Sequence, residues 1–471
     1  MKKKFNNSNF FASLCGNKIQ RNPHPGPLPS DGRGRIVRRL MQNPATGFAG
    51  WSCGKMEPAA GCPLSHPMGE GQGEGFPRAK FFLTIFFIAC VLNFSRAQTE
   101  IQISREGIFA QKPIPVALDG FTGEAAEVLK FDLYVQGFSF VTPDAAQYLI
   151  HGSDSGNVTG TVTDKLARKV ILSRSYNGAS LRRQAHAFAD DIVLAIAGKP
   201  GIAQLRGTTA RIAYKSQPSG IGPGEIYVAD FDGFTPTNVT EDHSIVAKPA
   251  WVPGKMALYY TSYARGNPDI FYHSLTSGQR RVIANYSGLN TSAAVSPDGS
   301  KVAMVLDKTG SVNIWVCNAD GSNLKHITSG DEDSSPTWSP NGDWICFATK
   351  HNARRQLAKV PAGGGEVQYL NTAGTPNPTE PDWSPDGKWI AFTCQFSHEF
   401  DICVLPADAT SAPTVLVPGE NPSWAPNSRT LVFNHRAAGY QQALSVLDVF
   451  TKQYKDCRRA TGSDSQPAWA R

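Results

Sequence analysis

The feature that most constrains the fold is a short phrase that recurs along the second half of the chain. Residues 383–388 read Trp-Ser-Pro-Asp-Gly-Lys. Ser-Pro-Asp-Gly is typical of a type I turn, because Pro fixes φ at the second position and Gly suits the fourth. The residues that follow are rich in β-branched and aromatic side chains, which favours a strand. The phrase therefore predicts the end of one strand, a tight turn and the start of the next.

Six copies of the phrase, some of them degenerate, follow one another at intervals of 41 to 45 residues. They begin at Trp251, Val295, Trp338, Trp383, Trp424 and Trp469. This period is typical of the four-stranded blades of a β-propeller. The first blade, near Arg211–Lys215, has no such phrase before it, and Gln466–Ala470 supplies the missing strand. We therefore predict six blades, from about Gly207 to Arg471, whose ends share one blade and leave no open sheet edge.

Residues 98–204 do not follow the repeat. Their pattern predicts strands at Ile101–Ser104, Ile114–Leu118 and Tyr148–His151, a hairpin over 158–176, and helices at Gly123–Gln136 and from about Ser180 to Ala197. The predicted fold class is therefore mainly β: a six-bladed β-propeller over residues 205–471, preceded by a small α/β domain over residues 98–204.

The chain upstream of this domain is interpreted in two parts. Residues 1–77 are rich in Gly, Pro and basic side chains, so we interpret them as a disordered or wrongly assigned segment, with Met68 as an alternative start. Residues 78–97 have the basic, apolar and small-residue order of a signal peptide that is cleaved after Ala97. A membrane-spanning helix is one alternative to a signal peptide, but it would need about 20 apolar residues. Acylation at Cys90 is a second alternative. We expect an exported protein with no membrane insertion after cleavage.

The formal net charge of +7 comes from the start of the chain. Residues 1–97 hold 13 Lys and Arg against 4 Asp and Glu, which leaves 33 basic and 35 acidic residues in the rest. A nearly neutral body gives no reason to expect nucleic acid or an anionic membrane as a partner.

Few residues form patterns that are typical of catalysis or metal binding. The one Gly-Xaa-Ser-Xaa-Gly run, Gly50–Gly54, falls in the upstream segment, and residues 98–471 contain none. His398-Glu399 lacks the second His of a metalloprotease helix. The acidic run 331–333 could hold Ca²⁺ or form a solvated loop, and the loop is the favoured interpretation. His186 lies off the apolar stripe of its helix, which favours a surface or interdomain hydrogen bond over catalysis. We expect no cofactor, no metal and no enzymatic activity.

The cysteines divide at the predicted cleavage site. Four of the nine precede it, and the other five are Cys317, Cys346, Cys394, Cys403 and Cys457. Most of these five fall in predicted strands, where a free Cys is usually a small buried hydrophobe. Cys394 and Cys403 flank one hairpin and could instead pair. None of them has zinc-ligand spacing.

The junction between the two predicted domains carries a more specific signal. Leu181–Asp190, Gly201-Ile202 and Arg211–Tyr214 resemble the run that joins the last helix of the amino domain to the first blade in the TolB family. Lys112–Ala117 resembles that family's first core strand, and the resemblance extends over essentially all of residues 98–471. It implies a monomeric, non-enzymatic, periplasmic adaptor of the Tol–Pal envelope system, with a role in outer-membrane integrity and in envelope constriction at division.

The resemblance also implies two partner surfaces. A Pal-like peptidoglycan-associated lipoprotein is expected at the loops before the Trp phrases, at Leu289, Asn290, Ser292, Ser334, Ser335 and Glu380. A TolA-like inner-membrane protein is expected at the mature amino-terminal strand, at Gln98, Glu100, Ile101 and Ile103.

Two alternatives to this role remain. Val295 stands where Trp is usual in the third copy, so a paralogous propeller with another role stays open. A secreted propeller could also bind or hydrolyse a glycan or a peptide in its funnel. A convergent pair of channel carboxylates with raised pKa values would favour that second alternative.

Overall fold

The computed structural model describes residues 107, 109–203, 211–220, 222–437, 441–458 and 462–471. The upstream segment, the predicted signal peptide and the expected strand Ile101–Ser104 lie outside the described residues. The same holds for Gln98, Glu100, Ile101 and Ile103, so these assignments stay predictions. Within the described part of the chain, no helix is long and apolar enough to cross a membrane.

The α/β domain packs two helices together against a five-stranded sheet. Its elements are β1 (Ile114–Asp119), α1 (Gly123–Tyr134), β2 (Phe138–Phe140), β3 (Tyr148–Ser153), β4 (Thr159–Asp164), β5 (Lys169–Ser175) and α2 (Leu181–Ala197). The strand order is β2-β1-β3-β4-β5, with β1 parallel to both neighbours and the other pairs antiparallel. The predicted elements that fall in this range are confirmed, although α1 ends two residues earlier and β3 runs two residues longer than expected.

Helix α2 is bounded and packed as its sequence leads one to expect. Ser180 Oγ accepts a hydrogen bond from the Arg183 amide at 3.4 Å, and Gly198 ends the helix with φ of 66°. The apolar face of the helix is buried, with Phe188 at its centre. Gly160 of β4 lies directly beneath that ring, where a Cβ atom would sit only 2.3 Å from it. The absence of a side chain on Gly160 therefore lets helix and sheet approach closely.

The propeller consists of six four-stranded antiparallel sheets. From the axis outward, blade 1 contains β29 (Ser463–Trp469), β6 (Arg211–Gln217), β7 (Glu225–Asp230) and β8 (Thr237–Asn238), and blade 2 contains β9 (Val246–Trp251), β10 (Ala257–Ser262), β11 (Asp269–Ser274) and β12 (Arg280–Ala284). In the same order, blade 3 contains β13 (Asn290–Val295), β14 (Lys301–Leu306), β15 (Asn313–Asn318) and β16 (Lys325–His326), and blade 4 contains β17 (Ser334–Trp338), β18 (Trp344–His351), β19 (Arg354–Pro361) and β20 (Gln368–Tyr369). Blade 5 contains β21 (Thr379–Trp383), β22 (Trp389–Phe396), β23 (Glu399–Pro406) and β24 (Thr414–Pro418), and blade 6 contains β25 (Glu420–Trp424), β26 (Thr430–Arg436), β27 (Gln442–Asp448) and β28 (Tyr454–Asp456). The six first strands contact one another in a closed ring. The predicted fold class is confirmed.

Blade 1 joins the two ends of the repeat region. Strand β29 pairs antiparallel with β6, with Trp469 opposite Ile212 and Ser463 opposite Gln217. Both Trp469 and Ile212 are buried in one apolar cluster. The predicted ring closure is confirmed, and it covers the edge that β6 would otherwise expose.

The repeated Trp residues hold neighbouring blades together. The indole N–H of Trp338 donates to the Ala294 carbonyl of the preceding blade at 2.9 Å. Trp424 donates in the same way to the Asp382 carbonyl at 3.1 Å. Each bond spans the interface between two first strands, so these residues pack and tie blades, as the sequence predicts.

The connections between strands lie alternately on two faces of the propeller, because successive strands are antiparallel. One face carries the Ser-Pro-Asp-Gly turns and the connections from third to fourth strands, and we call it the turn face. The other carries the loops that lead into each first strand and the hairpins from second to third strands, and we call it the mouth face. The α/β domain packs on the turn face, where Phe131 of α1 contacts Phe231 after β7 with ring centroids 6.3 Å apart.

Candidate functional site: the propeller funnel

The same backbone irregularity occurs in the first strand of every blade. Between first and second strands, two residues of the first oppose one residue of the second, which is a β-bulge. The first residue of each bulge has a positive φ, between 50° and 56°, where L-residues are uncommon. These six positions, which we call the bulge ring, are Lys248, Ser292, Ser335, Glu380, Asn421 and Gln466.

Proline follows the bulge ring residue in five of the six blades, and the exception is Ala293 in blade 3. Proline has no N–H to give to a ladder and is tolerated at bulges. The sequence therefore contains a signal for the bulge ring, Xaa-Pro-Xaa-Trp, which the analysis of turns and periods missed. That phrase places Lys248, Asn421 and Gln466 in the site, beside the residues that were predicted.

The bulge ring lines a cavity of about 440 Å³ on the propeller axis. All six ring residues contribute to its wall, and Pro and Trp residues of the same strands line it further along the axis. Because side chains from every blade converge there, the cavity is a place where one ligand or one protruding segment would contact the whole ring.

One ion pair crosses the mouth end of this channel. Lys248 Nζ lies 2.5 Å from Glu380 Oε1 and 2.7 Å from Asn421 Oδ1. Lys248 belongs to blade 2 and Glu380 to blade 5, which stand opposite each other in a ring of six. Both side chains are about one quarter exposed, at 26% and 21%. The pair therefore lies within the channel and narrows it.

Further hydrogen bonds fix Glu380 and Asn421, the two partners of the Lys248 ammonium group. Thr393 Oγ1 donates to Glu380 Oε2 at 3.1 Å and accepts from the Asn421 amide at 3.0 Å. Gln466 Oε1 accepts from the Lys248 amide at 2.9 Å. Four ring residues are thus linked to one another. Within the part of the chain that the structure describes, the two ring residues with short side chains, Ser292 and Ser335, are not hydrogen-bonded to this network. Blades 3 and 4 therefore form the sector with the smallest side chains.

The turn end of the channel carries another ion pair. Arg471 pairs with Asp382, and its guanidinium also donates to the carbonyls of Trp383 at 3.2 Å and Trp424 at 3.3 Å. Asp382 in turn accepts from the Trp424 amide at 2.7 Å. The channel is therefore lined by charged groups with partners at both ends.

The structure separates the predicted partner-binding residues into two groups. Ser292, Ser335 and Glu380 line the cavity together. Ser334 lies next to them on the rim, where its Oγ accepts a hydrogen bond from Arg355 at 3.3 Å. Their role in partner binding stays a prediction.

Asn290 requires a correction, because the expected surface patch does not include it. Its side chain is fully buried and bonds the carbonyl and the amide of Tyr286 at 2.7 and 3.0 Å. Leu289 packs its side chain against an apolar cluster between blades 3 and 4. A loop position before a Trp phrase predicts nearness to the mouth but does not predict exposure.

The channel carboxylates bear on the alternative of a ligand-hydrolysing funnel. Burial raises the pKa of Glu420, and the neighbouring Glu380 carboxylate raises it further. Glu420 is not among the residues that line the cavity, and its Oε1 accepts hydrogen bonds from Asn434 at 3.2 Å and Gln442 at 3.1 Å. The raised pKa therefore belongs to a carboxyl group held within blade 6, and the two carboxylates do not converge on the cavity.

Two other residues singled out in the sequence take structural positions. Asp333 is fully buried and accepts hydrogen bonds from Thr328 and Asn313, so the acidic run 331–333 is not uniformly solvated as expected. No group of three or more His, Cys, Asp or Glu in the described ranges is arranged to hold a metal. His186 Nδ1 lies 2.6 Å from Asp132 Oδ2 of the same α/β domain, so its hydrogen bond is neither at the surface nor between domains, contrary to the sequence prediction. Only a longer contact crosses the interface, with His186 Nε2 3.8 Å from Asp232 Oδ2 of the propeller.

Comparison with known proteins agrees with this architecture. The Tol-Pal system protein TolB of Bordetella pertussis is 29% identical over 327 residues, which cover 62% of this chain and 73% of that protein. The protein of the same name from Bordetella bronchiseptica gives the same values. The crystal structure of TolB from Acinetobacter baumannii superposes with a TM-score of 0.67 at 23% identity, covers 76% of this chain and 97% of that one, and supports the fold alone. A family profile described as the TolB beta propeller domain matches residues 202–471, more than half of the chain, and the chain therefore belongs to the TolB family.

Proposed function

We propose that this chain is an exported, periplasmic adaptor of the Tol–Pal system, which binds a Pal-like peptidoglycan-associated lipoprotein at the mouth face. The observation that carries the proposal is the family match over residues 202–471, together with relatives that are named Tol-Pal system proteins. In this role the chain acts by binding and has no catalytic step. Its cellular contribution is to outer-membrane integrity and to envelope constriction at division.

The bulge ring is the part of the mouth that suits such a partner. Its backbone is held by a bulge in each blade, so the six side chains project from a fixed frame. Ser292 and Ser335 are half-buried and short, and they leave the cavity open in blades 3 and 4. A segment of the partner that inserts there would be surrounded by protein on several sides, which is the setting in which single contacts dominate affinity.

The expected second partner surface lies upstream of a segment that is anchored on the turn face. Phe109 is buried between Trp389 and Phe450, with ring centroids 4.9 and 5.8 Å apart, and the Gln111 amide donates to the Phe450 carbonyl at 3.0 Å. Trp389 begins a second strand and Phe450 follows a third strand, so both lie on the turn face. The residues upstream of Phe109, among them Gln98 and Ile101, are the expected binding segment for a TolA-like protein.

The test is a quantitative pull-down from envelope extract with variants of the bulge ring. Ser335→Lys and Ser292→Lys place into the open sector a side chain that the ring already accommodates at Lys248. We expect binding to a Pal-like protein to weaken at least about tenfold, which is roughly 1.4 kcal/mol. Ser277→Lys is the matched control, because Ser277 lies in an exposed turn between the third and fourth strands of blade 2, on the turn face.

Enrichment of a peptidoglycan-associated lipoprotein that is lost in both ring variants and kept in the control supports the adaptor. Recovery of glycan alone, or ring variants that bind as the parent does, would overturn it in favour of a ligand-binding funnel. The thermal midpoint of each variant is measured beside the pull-down, so that unfolding is not read as lost binding.

A further inference from the structure

Two cysteines meet inside blade 5, away from the funnel. Strands β22 and β23 pair along their full length, with Cys403 opposite Phe392 and Cys394 opposite Asp401. The two cysteines are therefore diagonal neighbours on one face of the hairpin. Both side chains are fully buried in the apolar cluster between blades 4 and 5.

The local twist brings the sulfur atoms together. The Cα atoms of diagonal neighbours in an antiparallel pair are ordinarily about 7–8 Å apart, whereas the two Cα atoms of a disulfide are roughly 4.4–6.8 Å apart. Here Cys394 Sγ and Cys403 Sγ lie 2.7 Å apart, well inside the roughly 3.5–4.0 Å at which non-bonded heavy atoms pack. The register between β23 and β24 shifts between Ile402 and Cys403, and a bulge of this kind increases strand twist.

We propose that Cys394 and Cys403 form an interstrand disulfide across the β22–β23 hairpin when the chain folds in an oxidising compartment. The proposal rests on the export proposed above, because thiols are kept reduced in the cytosol and are oxidised in the envelope. The oxidant is a dithiol–disulfide protein or a small-molecule disulfide. Cys394 and Cys403 together lose two electrons and two protons, and the oxidant's disulfide is reduced to two thiols.

The exchange proceeds in two displacements. The thiolate of one cysteine attacks a sulfur of the oxidant, expels one of its thiolates and forms a mixed disulfide. The thiolate of the other cysteine then attacks the protein sulfur of that mixed disulfide, which forms the Cys394–Cys403 bond and releases the second thiolate of the oxidant. Each thiolate that leaves takes up a proton.

The timing of this reaction follows from burial. The adjacent Cys394 thiol and burial both raise the pKa of Cys403, so thiolate is scarce once the blade has formed. The oxidant also has no access to a side chain that is fully buried. The bond therefore forms while the hairpin is still exposed, and reduced protein that has already folded is oxidised slowly.

Cys346 provides an internal comparison. It lies in the same apolar cluster, it is equally buried, and burial raises the pKa of its thiol too. Cys346 sits in β18 of blade 4, opposite Lys359 in the strand register, and not beside a cysteine of its own hairpin. It should therefore stay a thiol under conditions that link Cys394 to Cys403.

The experiment traps thiols by alkylation in two preparations of the full chain, followed by peptide mass mapping without reduction. One is isolated from whole cells, and the other is refolded in a mixture of oxidised and reduced glutathione. We expect a cross-linked peptide that contains Cys394 and Cys403 in both preparations, with Cys346 alkylated. The Cys346→Ala variant should keep the cross-link, whereas Cys394→Ala should leave Cys403 alkylated.

The thermal midpoint gives a second readout. Reductant should lower it by roughly 5 °C in the parent and in Cys346→Ala but leave Cys394→Ala unchanged. Alkylation of Cys394 and Cys403 as complete as that of Cys346 in both preparations overturns the disulfide. A cross-link in the refolded chain that is missing from the cellular chain supports the disulfide and counts against export, so the two proposals fail separately.

Discussion

The two faces of the propeller are built in different ways. On the turn face one local sequence recurs with the same contacts: Ser384 Oγ donates to Asp386 at 2.6 Å, and Ser296 Oγ donates to Asp298 at 2.6 Å. Hydrogen bonds from Ser296 and Ser300 lower the pKa of Asp298 to about 2. On the mouth face the six bulges share one backbone geometry, but their first residues are Lys, Ser, Ser, Glu, Asn and Gln. The repeat specifies the frame, and the side chains of the bulge ring are left to specify a partner.

The faces also differ in what their charges do. On the turn face, buried charges join domains or strands: Arg182 pairs with Asp232 across the domain interface, and Arg429 Nε lies 2.7 Å from the fully buried Asp448. At the mouth, Lys248 and Glu380 pair across an open channel with part of each side chain in water. The turn-face pairs should therefore matter for stability, and the mouth pair for access to the funnel.

The largest expected effect comes from removing the strand that serves both faces. Deletion of Ser465–Arg471 takes away most of β29, with Gln466 at the mouth and Arg471 at the turn end, and it exposes the edge of β6. We expect loss of soluble protein, or a fall in thermal midpoint of at least about 10 °C, measured by circular dichroism. A truncated chain that melts within a degree or two of the parent would contradict joined ends within blade 1.

Arg429→Ala tests the turn face alone. Burial raises the pKa of Asp448 and Arg429 opposes this, so the substitution leaves a buried carboxylate without its counter-charge. Losing one partner of a buried pair costs about 3–5 kcal/mol, which denaturant unfolding would measure. The double variant Arg429→Met, Asp448→Leu should recover much of the loss, because no buried charge then remains. An Arg429→Ala variant as stable as the parent would show that the pair of Arg429 with Asp448 does not contribute to the free energy of unfolding.

The contacts of the turn face can be predicted from the sequence, whereas those of the mouth face largely cannot. The turn and Trp phrases predict the blades, the interblade packing and the closure through Gln466–Ala470, because these depend on contacts that recur in each repeat. The ion pair of Lys248 with Glu380 joins residues 132 positions apart. It depends on the diameter of the ring, which a repeat does not encode. The bulge ring lies between these cases, since its Xaa-Pro-Xaa-Trp signal is present but has meaning only once strand pairing is known.

Asn290 shows a second limit. Its polar side chain in a loop before a repeat predicts the surface, yet it is buried because the backbone of Tyr286 and Gly288 folds around its amide. The place of His186 off the apolar stripe can be read from the 3.6-residue period and predicts a hydrogen bond, which forms, but its partner Asp132 lies in the same domain and not across the interface. Local periodicity is predictable, whereas a side chain that organises its own loop is not.

His186→Gln gives a smaller and pH-dependent effect at the domain interface. Burial lowers the pKa of His186, but the Asp132 carboxylate raises it, and the net shift is upward. The stabilisation that protonated His186 contributes is complete below its pKa in the unfolded chain, about 6.5, and is lost as pH rises through its pKa in the folded protein. Urea unfolding should show a parent that is more stable than the variant by about 1.5–3 kcal/mol at pH 6 and by less at pH 9.

His398→Gln is the matched control, since His398 is exposed in the turn between β22 and β23. Its difference from the parent should not change with pH. A constant difference for His186→Gln across the same range would mean that the imidazole acts there without its charge.

The smallest expected effect on stability, and the sharpest test of the contrast between faces, is Lys248→Met. A partly exposed ion pair contributes at most about 1 kcal/mol, so the thermal midpoint should fall by no more than about 2–4 °C. The substitution removes the side chain that crosses the channel, and the cavity behind it is lined by Trp residues. Acrylamide should therefore quench tryptophan fluorescence more strongly in the variant than in the parent. Lys350→Met is the control, because Lys350 pairs with Glu332 at 3.0 Å outside the channel, and its quenching should match the parent. Equal quenching in all three proteins would mean that Lys248 does not restrict the funnel, and a loss of stability like that of Arg429→Ala would make the mouth pair a structural one.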